Sequence, residues 1–382
     1  MPFAAALSQH PIPAHAVGEV VGELIERLGD EPDLAVLFVT GPHTGALEDI
    51  ASAVRRLLQP RCLVGTTAAG VLAGRHGAEH RPAISLWAGR MASVPQPVRL
   101  TAEMTPDGWH IEGIDDGAMA VHRTIVLLAD PFTFPVDELL ERLADRHQHL
   151  AVVGGLASAA RGPGGNRLLL DGDITTHGAV GVMLDHDASP GIVVSQGCRP
   201  IGQPFVVTRS ERAVVYELGG RPALERLMAI IDGLSPDDRA LAAKGVHCGV
   251  VVDEHKLDYQ RGDFLIRSVL GADRTTGAVA LSDEVPVGST VQFQVRDADT
   301  AGEDLRHLLT GRPADGALVF TCNGRGAAMF GDSHHDATIV EDLLGSSAAV
   351  AGMFCAGEIG PIGHRNALHG FTASVALFRD PD

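Results

Sequence analysis

The sequence predicts a mixed α/β fold in two domains, built from repeated strand–helix–strand units with mixed parallel and antiparallel sheets. Three observations support this prediction. One strand–helix–strand pattern occurs three times, and its short apolar runs bounded by Gly or Pro are typical of strands buried on both faces. The segment between the second and third copies instead alternates as an antiparallel meander does. The length of 382 residues suffices for two domains.

Each copy of the repeat has an apolar strand, an amphipathic helix, a second apolar stretch rich in Gly and Ala, and a third strand. The first copy has strands at 34–40, 63–72 and 83–88 and a helix at 47–58. The second has strands at 124–129, 151–157 and 179–184 and a helix at 136–146. The third has strands at 317–321, 349–357 and 371–378 and a helix at 337–344. The strand–helix–strand order predicts parallel pairing inside each copy.

The intervening segment separates the two expected domains. It contains expected strands at 192–194, 205–209 and 213–218, a helix at 222–231, a polar turn at 235–238, meander strands at 246–252, 264–270, 278–282 and 291–295, and a returning helix at 302–309. We expect an N-terminal extension over 1–32, an N-terminal domain over 33–225 and a C-terminal domain over 226–380.

Charge and composition exclude several classes of function. Lys and Arg total 30 against 48 Asp and Glu, a formal charge of −18, which disfavours binding to nucleic acid and to anionic membranes. No apolar run reaches the roughly 18 residues of a membrane-spanning helix, and residues 1–13 lack the basic region of a secretory signal. The five cysteines are scattered without a CxxC motif. We therefore expect a cytoplasmic protein without membrane insertion.

The segment TCNGRG at 321–326 follows a buried-type strand, so it should lie at the rim where ligands bind open α/β sheets. Cys322 offers a soft nucleophile, Asn323 an amide, and Arg325 a bidentate clamp for an anion. Gly326 would leave backbone amides uncovered. The structural alternative is a plain turn with a solvated arginine.

The segment AGEIGPIG at 356–363 also follows an apolar strand and surrounds one carboxylate with Gly and Pro. Glu358 could bind an amine or pair with Arg325. The structural alternative is a loop whose glutamate caps backbone amides. The candidate ligand-binding residues in and after this segment are Glu358, Gly360, Gly363, Arg365, Asn366 and His369.

The corresponding strand ends in the other two copies carry no charge. The segment GTTAAG at 65–70 and the residues Gly154, Gly155 and Ser158 offer only backbone amides and hydroxyls, so they suit a ligand wall or simple packing. Neither segment is a P-loop, and no GxGxxG follows the first strand. We therefore expect no cofactor.

Cys322 is the one catalytic candidate, and it would need a base within hydrogen-bonding reach. The histidines of the same unit are His334, His335, His364 and His369. A buried and inert thiol is the commoner fate of a lone cysteine. The run His334–His335–Asp336 suggests a metal, but adjacent side chains do not face one site and no HExxH occurs, so we expect no metal.

Several segments resemble the FIST family, named for F-box and intracellular signal transduction proteins. The segments TCNGRG at 321–326, VAGMFCAGEIGPIG at 350–363 and LHGFTASVALF at 368–378 resemble its C-terminal domain. The segments VVGGLAS at 152–158, GAVGVML at 178–184 and SQGCRPIGQPFVVTRSERAVVYELGGRPALERL at 195–227 resemble its N-terminal domain. The resemblance implies a stand-alone sensory protein that binds small ligands such as amino acids and acts through a signalling partner. It carries over no catalytic residue.

Three functions follow as hypotheses. The leading one is a binding module for a small polar metabolite, in which Glu358 receives an ammonium group and Arg325 with strand-end amides receives a carboxylate. The second is an enzyme that uses Cys322 as a nucleophile or redox thiol. The third is a protein-interaction scaffold without a ligand.

Overall fold

The computed structural model describes residues 2–256, 258–363 and 365–380. The chain divides into two compact units. Unit 1 takes residues from 1–195, 305–368 and 372–382, whereas unit 2 takes residues 196–304 and 369–371. The expected limit between sequence domains, at residues 225 and 226, lies inside unit 2 and remains a prediction.

The helices occupy both units. In chain order they are α1 (Pro13–Leu28), a 3-10 helix at Gly41–Ala46, α2 (Leu47–Leu57), α3 (Asp116–Val121), α4 (Val136–Arg146), α5 (Ala223–Gly233), α6 (Pro236–Lys244), α7 (Ala298–Leu309), α8 (Ala327–Phe330) and α9 (His335–Leu344). None of the helices in the described ranges has the length and apolar character needed to cross a membrane.

The strands are numbered along the chain. The first group is β1 (Phe3–Ser8), β2 (Leu34–Thr40), β3 (Cys62–Ala68), β4 (Gly70–Ala73), β5 (His76–Glu79), β6 (Ile84–Gly89), β7 (Gln96–Thr105), β8 (Gly108–Glu112) and β9 (Thr124–Ala129). The second is β10 (Ala151–Leu156), β11 (Leu168–Leu170), β12 (Asp173–Thr175), β13 (Ala179–Leu184), β14 (Gly191–Gln196), β15 (Cys198–Pro200), β16 (Phe205–Glu211), β17 (Val214–Leu218) and β18 (Arg221–Pro222). The third is β19 (Val246–Val251), β20 (Phe264–Asp273), β21 (Ala278–Leu281), β22 (Thr290–Arg296), β23 (Gly316–Cys322), β24 (Ala349–Cys355), β25 (Glu358–Ile362), β26 (Arg365–His369) and β27 (Thr372–Phe378).

The threefold repeat expected from the sequence is confirmed. The first two strands of each copy pair in parallel, as β2 with β3, β9 with β10, and β23 with β24. The third strand pairs antiparallel to the first, as β6 with β2, β13 with β9, and β27 with β23. Each copy thus contributes the order third–first–second to a different sheet. These nine strands are almost wholly buried, as their continuous apolar runs predict.

The helix of each copy follows from an apolar stripe. In α4 the buried residues Val136, Leu139, Leu140 and Leu143 recur at helical spacing. Helix α2 carries acidic residues in its first turn and arginines in its last, which complements the helix dipole. Each helix stripe packs on the strands of its own repeat, which gives one apolar core for each copy.

The apolar stretch at 63–72 differs from its expectation, because it forms two strands in two different sheets. Strand β3 stays beside β2, whereas β4 joins β24. The chain changes sheets at Ala69, whose backbone N–H donates to the Ser158 hydroxyl at 2.8 Å rather than to a ladder. The sequence gives no sign of this change of sheet, because β3 and β4 are both buried and their residues therefore form one continuous apolar run.

Two segments expected to be turns are regular elements. Residues 235–238 begin α6, where the Ser235 hydroxyl accepts from the Asp238 backbone N–H at 3.1 Å and Pro236 occupies the first turn. This helix buries only Ala242, so it has no apolar stripe that could predict it. The segment at 356–363, for which a loop was the structural alternative, contains β25 and is followed by β26. The expected extension over 1–32 contains β1 and α1, and β1 pairs with β6.

Unit 2 contains the expected antiparallel strands. Its pairings run from β22 through β16, β17, β21, β20 and β19 and back to β22, which closes a ring of six strands. The apolar interior includes Val215, Leu281, Phe293 and Val295.

Candidate functional site

Three of the predicted segments converge beside one another in unit 1. Cys322 ends β23 in register with Cys355, which ends the parallel strand β24. Strand β25 starts at Glu358 and pairs antiparallel with β10, so that Glu358 lies opposite Gly155. The glycine strand end of the second repeat therefore lies next to the carboxylate of the third. We call Cys322, Arg325, Asp336, Cys355, Glu358 and Thr372 the site cluster.

Arg325 is fully buried, which differs from the solvated arginine of a plain turn. Its Nε donates to Asp336 Oδ2 at 2.8 Å and its Nη2 donates to Asp336 Oδ1 at 2.9 Å. The bidentate fork expected to clamp a ligand is thus occupied by a carboxylate of the chain. The physical reason is that a guanidinium in the interior requires a matched counter-charge.

Asp336 has every carboxylate oxygen engaged. Besides Arg325, Oδ2 accepts from the Thr321 hydroxyl at 2.6 Å, and Oδ1 lies 3.0 Å from His335 Nδ1. Burial favours the neutral acid, but the Arg325 charge and these hydrogen bonds hold the pKa of Asp336 well below its usual range. The same carboxylate more than offsets the burial of Arg325 and raises the pKa of that guanidinium. The pair is therefore ionised at any ordinary pH.

An aromatic side chain covers the guanidinium. The centre of the Arg325 guanidinium lies 5.4 Å from the Phe330 ring centroid, and His335 stacks on the same ring with a centroid separation of 3.5 Å. Phe330 belongs to the short helix α8. One nitrogen of the fork, Nη1, is inaccessible to solvent and has no hydrogen-bond partner in the part of the chain that the structure describes.

Glu358 is also fully buried, but it has no positively charged partner at bonding distance among the described residues. Its Oε2 accepts from the Thr372 backbone N–H at 3.1 Å and from the Thr372 hydroxyl at 2.8 Å. Within residues 2–256, 258–363 and 365–380, Oε1 is buried without a hydrogen-bond partner. Burial raises the pKa of Glu358 to about 8, against the opposing effects of Thr372, of a hydrogen bond from Cys322, and of the Arg325 charge.

The ion pair considered between Arg325 and Glu358 is instead an ion pair between Arg325 and Asp336. The two groups nevertheless interact, because Arg325 lowers the pKa of Glu358 and Glu358 raises the pKa of Arg325. The nearby Cys355 thiol responds to burial first and then to Glu358 and Cys322, which together raise its pKa well above the ordinary value. The site cluster is thus a single electrostatic environment.

Glycines surround the site cluster where side chains would not fit. A Cβ on Gly155 would lie 2.3 Å from the Cys355 sulphur. At Gly360, a Cβ would lie 2.5 Å from Val194 and 2.7 Å from the Ser374 hydroxyl. Contacts this short would force the backbone to move, so both positions require glycine for close packing.

Further expected site residues have other contacts. Asn323 is exposed, and its backbone N–H donates to the Cys355 carbonyl at 2.8 Å. Beside Gly326, the carboxylate of Glu79 accepts from the Ala327 backbone N–H at 2.8 Å, and it occupies the space of a Cβ on Gly326. Gly154 and Gly363 adopt positive φ angles of 152° and 58°. Of these four residues only Asn323 has a side chain, and its Oδ1 accepts from the Cys322 thiol at 4.0 Å.

Two of the expected polar residues use their side chains for backbone bonding. Asn366 accepts from the Val152 N–H and donates to the Leu150 carbonyl, both at 2.8 Å, so it extends the edge of β10. Ser158 accepts from the Ala69 N–H and donates to the Phe354 carbonyl. These residues hold strands together near the site.

The last two expected residues stand at the two ends of β26. Arg365 is exposed, and His369 is buried in unit 2. His364 lies outside the described residues.

Sequence reasoning missed Asp336, Cys355 and Thr372 as members of the site. Asp336 was noted only beside two histidines, yet it stands in the first turn of α9, where a carboxylate complements the helix dipole. Thr372 begins β27, two strands after the one that starts at Glu358, and carries no signal of its own. The two strands belong to different sheets, so only the packing of those sheets brings Thr372 to the carboxylate.

Comparison with known proteins matches two family profiles to this chain. The FIST N domain matches residues 33–221 and the FIST C domain matches residues 223–361. The chain is 46% identical over 391 residues to the uncharacterized protein Rv0628c of Mycobacterium tuberculosis (strain ATCC 25618 / H37Rv), with 100% of both chains covered. It is 47% identical over 385 residues to the uncharacterized protein Mb0898c of Mycobacterium bovis, with 97% of both chains covered.

Proposed function

The chain belongs to the FIST family, whose domains are associated with signal transduction and small-ligand sensing, and we propose that its site cluster binds an amino acid or a similar small polar metabolite. The ligand carries a cationic amine that approaches Glu358 and an anionic group that approaches Arg325. Binding would be passed to a signalling protein partner in the cytoplasm.

One observation carries the proposal: two buried polar atoms of the site cluster lack hydrogen-bond partners among the described residues. Arg325 Nη1 is a donor, and Glu358 Oε1 is an acceptor once the carboxyl group is ionised. An unsatisfied buried polar atom costs about 1–3 kcal/mol, so such atoms are rare in native proteins and call for an explanation. A ligand with one acceptor and one donor would satisfy both atoms.

Entry to this site requires a movement, because Arg325 and Glu358 are fully buried. Helix α8 is the element best suited to move, since it has only four residues, buries none of them and covers the guanidinium with Phe330. The Arg325–Asp336 pair would remain in place and present Nη1 to the ligand.

The high pKa of Glu358 makes binding dependent on pH. Below about pH 8 the free carboxyl group is mostly protonated, so an ammonium ligand must displace that proton. Affinity should therefore increase up to about tenfold per pH unit between pH 6 and 8, and then level off. Each binding event below pH 8 should release a proton.

The test is a thermal-shift screen of the twenty amino acids and of small carboxylates, followed by titration calorimetry in two buffers of different ionisation enthalpy. We expect a stabilising compound whose binding releases a proton at pH 7. The Glu358→Gln variant should bind without proton release and without the pH dependence, whereas the exposed control Glu225→Gln should behave as the parent chain. No shift with any compound, in protein shown to be folded, would contradict the proposal.

A second candidate function, thiol chemistry at Cys322, is favoured by one observation. The Cys322 thiol hydrogen-bonds to Glu358, a group with a pKa of about 8 that could accept its proton. The rate at which iodoacetamide labels Cys322 is measured as a function of pH. If Glu358 accepts the thiol proton, this pH profile should shift in the Glu358→Gln variant. Slow labelling with an unchanged profile in that variant would remove this candidate.

A pocketless structure with Glu358 buried and paired internally would favour the scaffold hypothesis. Glu358 is buried and has the hydrogen bonds of Thr372 and Cys322, but its Oε1 has no partner among the described residues. A protein that binds no compound in the screen and retains a partner protein would favour the scaffold.

A further inference from the structure

A cavity of about 400 Å³ in unit 1 is bordered by three arginines, Arg90, Arg312 and Arg379. We call it the arginine cavity. Its lining includes no residue of the site cluster. The volume lies within the range of small-molecule sites.

The guanidinium groups are not neutralised by ion pairs. Within residues 2–256, 258–363 and 365–380, no salt bridge involves any of the three. This stands out in a chain with a formal charge of −18, in which carboxylates outnumber basic side chains by 48 to 30. Two aspartates, Asp187 and Asp380, also line the cavity, so that its formal charge is 3 − 2 = +1.

Two of the arginines are held in position by backbone carbonyls. Arg90 Nη2 donates to the carbonyls of Leu28 and Asp30 at 3.3 and 3.0 Å, and Arg379 Nε donates to the Pro313 carbonyl at 3.1 Å. Each guanidinium retains further N–H groups for an anion. Fixing the side chains in advance reduces the entropy that binding must overcome.

The lining of the arginine cavity also includes apolar residues. Phe3, Leu377 and Phe378 line it and are almost fully buried. Phe3 stacks on the buried Trp87 with ring centroids 5.3 Å apart, and Phe378 contacts the same indole in a tilted arrangement at 5.0 Å. A cavity lined by both guanidinium groups and aromatic rings matches a molecule that is itself divided into an anionic and an apolar part.

We propose that the arginine cavity binds a small amphipathic anion, an organic carboxylate with an apolar chain. The carboxylate contacts Arg312 and Arg379, and the chain contacts Phe3 and Phe378. This site is separate from the proposed function and does not depend on it.

Trp87 lies beside the arginine cavity, so its fluorescence can report ligand binding there. The protein has two tryptophans, and Trp109 is partly exposed, so Trp109→Phe leaves Trp87 as the sole indole beside the cavity. Trp87 fluorescence is titrated with octanoate below its micelle-forming concentration, and in parallel with acetate and octylammonium. We expect a saturable change with octanoate, at least tenfold weaker binding of acetate, and no saturable change with octylammonium.

Variants in the same Trp109→Phe background test which arginines bind the carboxylate of octanoate. Arg312→Gln with Arg379→Gln should weaken octanoate binding at least tenfold, and Arg312→Lys should weaken it less because the charge is kept. The exposed Arg274→Gln in unit 2 is the matched control and should leave binding unchanged. If the double variant does not fold, Arg312→Gln alone decides, since no hydrogen bond or ion pair within the described residues depends on its side chain.

Two results would overturn the proposal. Equal responses to octanoate and octylammonium would show that the cavity takes up apolar chains without regard to charge. Unchanged octanoate affinity in Arg312→Gln would show that the anion is bound elsewhere.

Discussion

The end of β23 and the start of β25 each bury an ionisable side chain in the same site, but they do so in opposite ways. Arg325 is matched by Asp336, whose pKa is held well below its usual range by that guanidinium. Glu358 has only the hydrogen bonds of Thr372 and Cys322, and burial raises its pKa to about 8. One side of the site is therefore a fixed ion pair, and the other is a carboxyl group close to its titration point at neutral pH.

The difference shows which part of the site can respond to a ligand. A buried charge that is paired and hydrogen-bonded is costly to disturb, because removing one partner leaves the other unpaired in a medium of low polarity. A carboxyl group whose protonated and ionised forms have nearly equal free energy can lose its proton when a cation binds beside it. Arg325 and Asp336 thus form the frame, and Glu358 is the responsive group.

The largest expected effect comes from breaking the frame. Asp336→Asn removes the charge that balances Arg325, and the free energy of unfolding should fall by about 3–5 kcal/mol. Urea denaturation followed by the fluorescence of the buried Trp87 measures it. The control Asp342→Asn lies on the same helix but is half exposed, and it should change stability by less than about 1 kcal/mol. Equal effects of the two substitutions would show that the frame does not depend on the buried pair.

The next effect comes from the pH dependence of stability. The folded pKa of Glu358 is about 8, above the ordinary value of 4.5, so the folded state holds a proton that the unfolded chain has lost. Stability from this group is fully present below about pH 4.5 and is lost as pH rises to about 8, by roughly 1.4 kcal/mol per pH unit. Glu358→Gln should lack this slope in urea denaturations between pH 5 and 8.

The two sides of the site should respond to pH in opposite directions. The pKa of Asp336 is lowered from 3.8, so its stabilisation is present above about pH 4 and is lost as pH falls further. Stability that declines only toward acid in both the parent chain and Glu358→Gln would mean that Glu358 is ionised in the folded protein at neutral pH.

The smallest effect concerns the hydrogen bonds that hold Glu358. Thr372→Val removes the hydroxyl that donates to Oε2 while keeping the backbone N–H, so it should cost about 1 kcal/mol and raise the pKa of Glu358 further. Titration of the carboxyl group by infrared spectroscopy, referenced to Glu358→Gln, measures the shift. The half-buried Thr338 makes only a long hydrogen bond of 3.4 Å to the Arg75 carbonyl, so Thr338→Val should cost less stability and leave the pKa of Glu358 unchanged. A lower pKa in Thr372→Val would contradict the assigned role of the hydroxyl.

Much of the fold could be predicted because buried strands and helices carry apolar residues in recognisable patterns. The apolar strands and the stripe of α4 identified the three repeats and their parallel pairs. Helix α6 was missed because it lies mostly exposed and has no stripe. The hairpin strand β25 was misread because Gly360 and Pro361 are typical of loops, although here the glycine permits close packing against Val194 and Ser374.

The sequence predicted where the site residues lie in the chain better than it predicted which residues they contact. The sequence alone determined that Cys322, Arg325 and Glu358 follow buried strands, and strand ends of an α/β sheet converge on one rim. Only the tertiary structure decided that Arg325 pairs with Asp336 and that Glu358 rests on Thr372 beside Gly155. The physical reason is that periodicity records which residues are buried, whereas the partner of a buried charge depends on distances between elements far apart in the chain.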